Sequence, residues 1–405
     1  MAGRRRKPRS PFRRVSASRM ALAAAALLLA GFGVADSFAN VAARVSAPTA
    51  HRFAPWDGKI AAKLVEKQFQ LGPEFAPDSA QASLARSALR AEPTAVEALN
   101  VMGLQAQLRS ETETTRRIFS QSLALSRREF APRIWAIEEA VNRGDIDEAL
   151  ANYDIALRTS NRAYGELFPV LSSAIAEPRI RAKLLEILAD KPIWLEDFMS
   201  YAARVGQNPE ATAQLFREGA RIGLPIDDEM RTALVDSFAE QGKYAEAWAY
   251  YETIRPGARR TRSRDPDFTF SNARVSLFDW VVTEYGSIQR GEKGGLVDFS
   301  LPSTVGGAIV AQAQFLPPGT YRLTGTSSGI EQRRESLPYW SLKCGDSEFG
   351  RVQVPNSTAN NGRFAGVFRV PPGCPLQTLV LMARPTEEYR GVTGQITRVQ
   401  LEPSS

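Results

Sequence analysis

The sequence has little of the residue types that most catalytic centres need. It contains one histidine, His51, and two cysteines among 405 residues. Ser–His–Asp catalysis, Cys–His catalysis and histidine-based metal sites all need a histidine close to the chemistry, and His51 lies just after an apolar N-terminal segment. The phosphate-binding patterns GxxxxGK[ST] and GxGxxG do not occur. The sequence therefore predicts no catalytic residue set, no metal and no cofactor.

One class of enzyme needs none of these residues. A glycosidase works with two carboxylates that flank the scissile bond. Six acidic residues of the C-terminal part of the chain are the candidates, and no spacing in the sequence pairs any two of them: Asp279, Asp298, Glu331, Glu335, Asp346 and Glu348. A glycan hydrolase is therefore the alternative to a protein that only binds.

Acidic residues are also missing from the N-terminus. Residues 1–19 hold eight Lys/Arg and no Asp or Glu. Subtracting these eight charges from the net charge of +7 leaves about −1 for residues 20–405. The basic pI thus belongs to a tail and not to a binding face, and the sequence predicts no nucleic-acid partner.

An apolar segment follows the basic tail at residues 20–43, and its first sixteen residues carry no charge. A basic flank before an apolar run indicates export, with the flank in the cytoplasm. A peptidase that cuts after Ala39 would release a soluble protein. A helix that continues through Val41 to Ala43 reaches the ~20 residues that a membrane anchor needs. We expect a single-pass protein of a bacterial inner membrane, with its bulk in the periplasm.

The two cysteines, Cys344 and Cys374, lie thirty positions apart in the last quarter of the chain. An exported protein folds in an oxidising compartment, where such a pair forms a disulfide. The sequence therefore predicts the bond Cys344–Cys374.

Residues 50–256 are rich in Ala, Leu, Glu, Arg and Gln, and Pro or Gly divides them into helix-length segments. Small and large apolar residues recur in them at fixed offsets from a turn glycine. Gly144 is followed by Ala149 and Tyr153, and Gly242 is followed by Ala247 and Tyr251. Thirty-four residues before Gly144, Ser110 takes the place of the glycine, and Thr115 and Phe119 follow it.

This pattern resembles the tetratricopeptide repeat, in which helical hairpins stack and bury their apolar faces against neighbouring copies. The resemblance covers about 175 residues, and residues 161–190 show no clean unit. It implies an array with a groove for a protein partner. Under this interpretation the carboxylates of residues 133–160 belong to a repeat unit. Asp145 and Asp147 begin a helix, and Glu138 and Glu139 face solvent.

Residues 257–265 contain four arginines between two flanking prolines, which predicts a solvated linker. From residue 266 to 405 the helical period gives way to alternation, and turn pairs such as GG and NG recur. In "FLPPGTYRLTGT" Tyr321 and Leu323 alternate with Arg322 and Thr324. About eight such runs predict an antiparallel β-sandwich. The whole resembles the jelly-roll sandwiches of carbohydrate-binding modules in its strand order and turn chemistry.

A sugar site needs flat aromatic rings and fixed polar groups. The candidates are Trp280 with Asp279, and Tyr339 and Trp340 with Arg333. Tyr339 and Trp340 are adjacent, so a strand would point one ring outward. A core role for each ring is the alternative, because a large aromatic residue in a strand is more often buried than exposed.

The expected architecture is therefore α + β and multidomain, with a membrane helix, a repeat array and a sandwich. We expect a membrane-anchored scaffold that faces the periplasm. Its partners would be a protein in the helical groove and a polysaccharide or second protein on the sandwich. Assembly or export of a bacterial surface polysaccharide is the setting that this combination suggests.

Overall fold

The computed structural model describes residues 17–270, 274–291 and 294–404, so most of the predicted basic tail at residues 1–19 lies outside the described residues. In the described ranges fourteen α-helices precede the strands. They are α1 (Ala17–Ala42), α2 (Ala47–Phe53), α3 (Gly58–Leu71), α4 (Ala80–Ala91), α5 (Val96–Leu108), α6 (Thr112–Leu125), α7 (Phe130–Asn142), α8 (Ile146–Thr159), α9 (Arg162–Ala174), α10 (Pro178–Ala189), α11 (Leu195–Arg204), α12 (Pro209–Arg221), α13 (Asp228–Glu240) and α14 (Tyr244–Ile254).

Ten strands follow in the same described part of the chain. They are β1 (Val281–Val282), β2 (Gly286–Gly291), β3 (Gly294–Leu301), β4 (Gly307–Gln314), β5 (Gly319–Ser328), β6 (Tyr339–Cys344), β7 (Ser347–Gln353), β8 (Arg363–Val370), β9 (Gln377–Ala383) and β10 (Val392–Pro403). The predicted fold class, helices followed by an antiparallel sandwich, is confirmed.

The chain divides into two compact units. Residues 1–160 contain α1–α8, and residues 161–405 contain α9–α14 together with all the strands. The last six helices and the sandwich therefore form one unit.

Capping residues define where the helices begin and end. The Asp145 side chain accepts a hydrogen bond from the Glu148 backbone N–H, 2.9 Å away, at the start of α8, so this carboxylate has the capping role that the repeat interpretation expects. The turns before α8 and α14 need a left-handed residue, and Gly144 (φ 72°) and Gly242 (φ 74°) supply it. Ser110, which stands at the equivalent turn before α6, is left-handed as well (φ 62°).

Small residues of the repeat pattern lie where helices touch. Ala149 and Tyr153 are buried in α8, and Ala247 and Tyr251 are buried in α14. A Cβ added to Gly103 of α5 would lie 2.2 Å from the Phe119 ring of α6. Close contacts of this kind leave no room for a larger side chain, so the spacing of small and large residues fixes how the helices pack.

The first helix is the one described segment that is long and apolar enough to cross a membrane, from Ser18 to Ala42. It continues without a break through Asp36 and Asn40. Its C-terminal end joins the folded unit, because Ala39 is fully buried in a cluster with Ala50, Ala54 and Ile60. The end of the apolar helix is thus part of the packed structure of α2 and α3.

The strands form two five-stranded antiparallel sheets. The first has the order β1–β4–β9–β6–β7, and the second has the order β2–β3–β10–β5–β8. From β3 to β6 and from β7 to β10 consecutive strands lie in opposite sheets, so the chain crosses the sandwich repeatedly. One apolar core fills the space between the sheets, with fully buried members that include Leu323, Trp340, Phe368 and Leu381.

The Cys344–Cys374 disulfide is present, with Cα atoms 6.0 Å apart, and the prediction is confirmed. It joins the end of β6 to the turn before β9. The bond therefore fixes a loop of thirty residues at one end of the first sheet.

The prediction of a solvated linker at residues 257–265 is wrong for its second half. Ser263 is buried, and its backbone N–H donates to the Leu401 carbonyl at 2.9 Å. The Gln312 side chain bonds both the N–H and the C=O of Arg264. Residues 263–264 therefore run along β10 and β4 as part of the sandwich, because the polar groups of both strands bind their backbone.

Candidate functional site

Two of the predicted ligand rings lie in the core instead of on a surface. Trp340 is 0% exposed and Trp280 is 4% exposed, with ring centroids 5.7 Å apart. The Trp280 indole N–H donates to the Asp265 carbonyl at 2.9 Å. Both rings fill the space between the sheets, so the alternative prediction, a core role, holds for both tryptophans.

Tyr339 precedes Trp340 and takes the opposite face of β6, as alternation predicts, but its ring is only 9% exposed. The guanidinium groups of Arg351 and Arg384 stand over the ring, each 4.7 Å from its centroid. Arg351 is held in place by Glu348, with Nε 2.7 Å from Oε1, and this hydrogen bond lowers the pKa of Glu348. The expectation of an open ring is wrong, because cations of this chain cover the surface that a sugar would need.

Asp279 is buried and has a structural set of partners. Its Oδ1 accepts from the Tyr251 hydroxyl at 2.8 Å and from Arg264. Its Oδ2 accepts from the backbone N–H of Ser276 at 3.0 Å and from the Ser276 hydroxyl at 3.1 Å. Every strong acceptor position of the carboxylate is thus used inside the protein, so Asp279 has nothing to offer a ligand.

Arg333 is the predicted ligand residue whose side chain stays in solvent, at 64% exposed. It lies near two acids, Glu387 at 3.4 Å and Glu388 at 3.8 Å. Exposed pairs of this kind contribute little to stability. The structure does not bring Arg333 together with the tryptophans, which lie in the core.

The second sheet carries an open face whose residues are not among the predicted ligand residues. A pocket of about 640 Å³ lies over β5, β8, β10 and the turn before β8. Its lining consists of polar and basic residues, two small residues and one phenylalanine: Arg322, Thr324, Gly325, Thr326, Asn360, Asn361, Arg363, Phe364, Ala365 and Arg398. The alternation of Tyr321 and Leu323 with Arg322 and Thr324 is the sequence signal for this face.

Strand register sets the positions of the three arginines. Thr326 of β5 lies opposite Arg363 of β8 and opposite Arg398 of β10. Arg363 and Arg398 therefore flank Thr326 from the two sides. Arg322 lies four residues earlier on β5, on the same face.

None of the described residues that line this pocket is acidic. Arg398 forms an ion pair with Asp267, which lies outside the lining. Arg322 and Arg363 have no carboxylate within ion-pair distance in the described part of the chain. Glu402 lies opposite Arg322 on the neighbouring strand, but its carboxylate is 3.7 Å from Arg262. The face therefore presents two unpaired guanidinium groups and a third that is paired.

The turn before β8 has an unusual backbone. Asn360 (φ 48°) and Asn361 (φ 54°) are left-handed, and Gly362 (φ 72°) follows them. A Cβ at Gly362 would lie 2.1 Å from the Ser327 carbonyl oxygen, so only glycine fits there. Asparagine tolerates the left-handed region better than most residues, and each side-chain amide can donate and accept hydrogen bonds. The turn thus holds two amide groups beside the arginines.

The helical unit of residues 1–160 has a groove of its own, a pocket of about 540 Å³ between α6, α7 and α8. Phe119 and Trp135 lie in it with ring centroids 5.7 Å apart. The charged groups at its rim neutralise each other. Glu139 pairs with Arg116 and lies 3.8 Å from Arg143. The expectation that Glu139 faces solvent is wrong, since these two arginines cover it and its side chain is only 16% exposed.

Other sandwich carboxylates proposed for a hydrolase have partners too. Asp298 accepts a hydrogen bond from Gln395 at 2.9 Å. Glu348 is bound to Arg351 and to the Ser341 hydroxyl, 2.8 Å away. No group of three or more His, Cys, Asp or Glu in the described ranges is arranged to hold a metal ion.

No protein-family model matches the chain, and no curated protein matches its sequence. Among solved structures, TmCBM61 in complex with β-1,4-galactotriose is 17% identical, with 36% of this chain and 100% of that chain covered and a TM-score of 0.27. The C-terminal CBM6 of LamC from Zobellia galactanivorans is 13% identical, with 31% and 99% covered and a TM-score of 0.20. A human IFIT1 dimer is 15% identical, with 53% and 58% covered and a TM-score of 0.27. TM-scores this low carry no argument about function.

Proposed function

We propose that this protein is a membrane-anchored scaffold that faces the periplasm of a bacterium and takes part in the assembly or export of a surface polysaccharide. Its helical array holds a protein partner, and its sandwich binds the glycan. The protein acts by binding and not by catalysis. Hydrolysis of the glycan is the alternative.

The observation that carries this proposal is the open polar pocket on β5, β8 and β10. Its volume of about 640 Å³ falls in the range of ligand sites. Arginine, threonine and asparagine side chains line it, and such groups bind hydroxyl and acidic oxygens. Most of the sandwich's large aromatic residues are used in its core, so this polar face is the surface on which a glycan has the most to bind.

The N-terminal helix supports a retained anchor. Cleavage after Ala39 would remove a residue that is fully buried against Ala50, Ala54 and Ile60. It would also remove Phe32 and Phe38, which contact Trp56 and Phe53 at ring centroid distances of 4.9 and 4.7 Å. The helix therefore contributes to the packing of the unit that follows it. The disulfide suits the oxidising side of the membrane.

The groove between α6, α7 and α8 supports the protein-partner part of the proposal. Trp135 is half-buried there beside Phe119, and arginine and glutamate side chains lie around it. Aromatic side chains with neighbouring arginines are the usual anchors of protein interfaces.

Two measurements on the full-length protein test the proposal. The protein is purified from membranes in detergent, its N-terminal sequence is determined, and it is immobilised and exposed to polysaccharide extracted from the cells that make it. We expect an N-terminus that precedes residue 20 and retention of the polysaccharide at unchanged chain length. A soluble protein that begins at Asn40 would contradict the anchor, and no retention would contradict glycan binding. Retention followed by shortening of the chains would establish the hydrolase.

A further inference from the structure

We propose that the sandwich face of Arg322, Arg363 and Arg398, called here the arginine face, selects its polysaccharide by the acidic groups of the glycan. This inference rests on the proposed function and names the class of ligand. The groups recognised are carboxylates, phosphates or sulfates that recur along a sugar chain. A neutral glycan of the same backbone would bind much more weakly.

Unpaired positive charge suits the arginine face to an anionic ligand. Arg322 and Arg363 have no acidic partner in the described ranges, and no lining residue is acidic. Guanidinium groups bind carboxylate and phosphate oxygens in pairs of parallel hydrogen bonds, which are stronger than bonds between neutral groups. An anionic ligand would supply the charged partner that neither guanidinium group has within the described part of the protein.

The described lining residues offer no exposed aromatic ring on which a sugar could stack. A neutral sugar is held largely by the flat face of an exposed aromatic ring. Phe364 is the one aromatic residue among the described lining residues, and it is only 6% exposed because its side chain fills the core. Binding at this pocket must therefore come from charge and hydrogen bonds.

The spacing of the arginines favours a polymer over a small anion. Arg363 and Arg398 lie on strands at either side of β5, which places their backbones about 10 Å apart. Arg322 lies four residues from Thr326 along β5, or about 13 Å. A chain with repeated acidic groups can contact all three arginines over this distance, whereas a small anion leaves Arg322 or the Arg363–Arg398 pair without a ligand.

The amides beside the arginines favour a sugar over a nucleic acid. Asn360 and Asn361 stand at the pocket and can donate to and accept from hydroxyl groups. Proteins bind single-stranded nucleic acids largely through bases that stack on exposed aromatic rings. The described lining of this pocket contains no exposed aromatic ring. A polyanion rich in hydroxyl groups suits this lining better than one that needs stacking.

The test is a titration of the full-length protein in detergent with four polymers of similar length: polygalacturonate, its carboxyl-reduced counterpart, phosphorylated dextran and poly(U) RNA. We expect the carboxylated or the phosphorylated glycan to bind at least tenfold more tightly than the reduced polymer and than poly(U). The better of the two identifies the acidic group.

Variants locate the binding. Arg363→Ala and Arg322→Ala should each weaken binding of the acidic glycan about tenfold, since each removes charge-assisted hydrogen bonds. Arg363→Lys keeps the charge but not the paired geometry, and it should recover only part of the loss. Arg333→Ala removes an exposed arginine of the same sandwich and should change nothing. Melting temperatures confirm that all variants are folded.

Several results would overturn the inference. Equal binding of the reduced and the acidic glycan would show that charge is not selected, while the proposed binding of a native polysaccharide would stand. Equal binding of poly(U), or full recovery by Arg363→Lys, would show attraction of polyanions without recognition. Failure of all four polymers together with loss of native polysaccharide retention would contradict the proposed function as well.

Discussion

The hydroxyl of Tyr251, in the last helix of the array, donates to Asp279 at the start of the sandwich across 2.8 Å. Arg264 completes the contact by pairing with the same carboxylate oxygen. Burial raises the pKa of Tyr251, so the hydroxyl keeps its proton and remains a donor throughout the physiological range. Rings reinforce this polar contact, since Trp248 and Phe278 meet edge to face at 5.0 Å. Helix α14 and the start of the sandwich are therefore held together by buried and mutually satisfied groups.

Removing the carboxylate at this junction should be costly. Asp279→Ala leaves the buried Tyr251 hydroxyl without its acceptor and removes the carboxylate that pairs with Arg264, which keeps only its hydrogen bond to the Tyr251 oxygen, 2.6 Å away. Loss of one partner of a buried pair costs about 3 kcal/mol or more, and we expect the free energy of unfolding of the second unit to fall by that amount in urea titrations.

Two variants provide the controls for this prediction. Tyr251→Phe removes a single hydroxyl and should cost about 1–2 kcal/mol. Arg333→Ala breaks only exposed ion pairs and should cost less than about 1 kcal/mol. If Asp279→Ala is no more destabilising than Arg333→Ala, the contact does not hold the helices to the sandwich.

Asp236 of α13 predicts a pH dependence of stability in the same unit. Burial raises the pKa of Asp236 to about 6, against the opposing effects of the Leu277 backbone N–H, which donates to it at 3.0 Å, and of Arg274 at 3.8 Å. The charged form is thus disfavoured in the folded state. The folded state binds the proton more tightly than the unfolded state, so the contribution of Asp236 to stability is most favourable below pH 4, decreases between about pH 4 and 6, and stays at the lower level above pH 6.

Asp236→Asn should remove this contribution. The amide oxygen can still accept from Leu277, and no charge is buried. We expect a gain on the order of 2 kcal/mol at pH 7 and no gain at pH 4. Urea titrations at both pH values measure the difference, and an equal effect of the substitution at pH 4 and pH 7 would contradict the assignment.

The disulfide should contribute to stability by closing a thirty-residue loop. In the chain-entropy description, a loop of this length gives about 3.6 kcal/mol. Replacement of both Cys344 and Cys374 by serine should lower the free energy of unfolding by about that amount. Mass spectrometry of the unreduced wild-type protein tests the bond itself. A mass that corresponds to two free thiols would show that the bond does not form in the cell.

Packing of the repeat units can be tested at two alanines. Ala149→Leu and Ala247→Leu add bulk where helices touch, and overpacking costs typically 1–3 kcal/mol. Ala151 and Ala249 lie on the exposed faces of the same two helices, so Ala151→Leu and Ala249→Leu are matched controls that should be neutral. Unchanged melting temperatures for the two buried substitutions would show that the repeat register is wrong.

The sequence predicted the helical array well because its signals are local. A turn glycine at residue 144, a small residue five positions later and an aromatic residue nine positions later determine one hairpin, and each of these residues lies where the pattern requires. The alternation of Tyr321 and Leu323 with Arg322 and Thr324 likewise determined which side chains of β5 face out. The pattern did not include Arg363 and Arg398, because strands distant in the sequence bring them to the same pocket.

The predicted ligand residues do not form an open site, because tertiary contacts that the sequence pattern does not show surround them. Alternation correctly separated Tyr339 from Trp340, but it does not show that Arg351 and Arg384 cover the outward ring. Asp279 looked like a polar partner for Trp280, and its true partners, Tyr251 and Arg264, come from the helix and the connection that precede the sandwich. The arginine-rich residues 257–265 were predicted to be a solvated linker for the same reason. The sequence does not show that Arg264 pairs with Asp279.

Hydrogen–deuterium exchange of the full-length protein, with and without the acidic polysaccharide, shows which surface of the protein the glycan covers. We expect slower exchange on ligand binding at residues 322–326, 360–365 and 396–400, and unchanged exchange around residues 333–340. Protection around residues 333–340 alone would place the ligand at the sheet of Tyr339, and protection confined to residues 112–152 would place it in the helical groove. Either result would contradict binding at the arginine face.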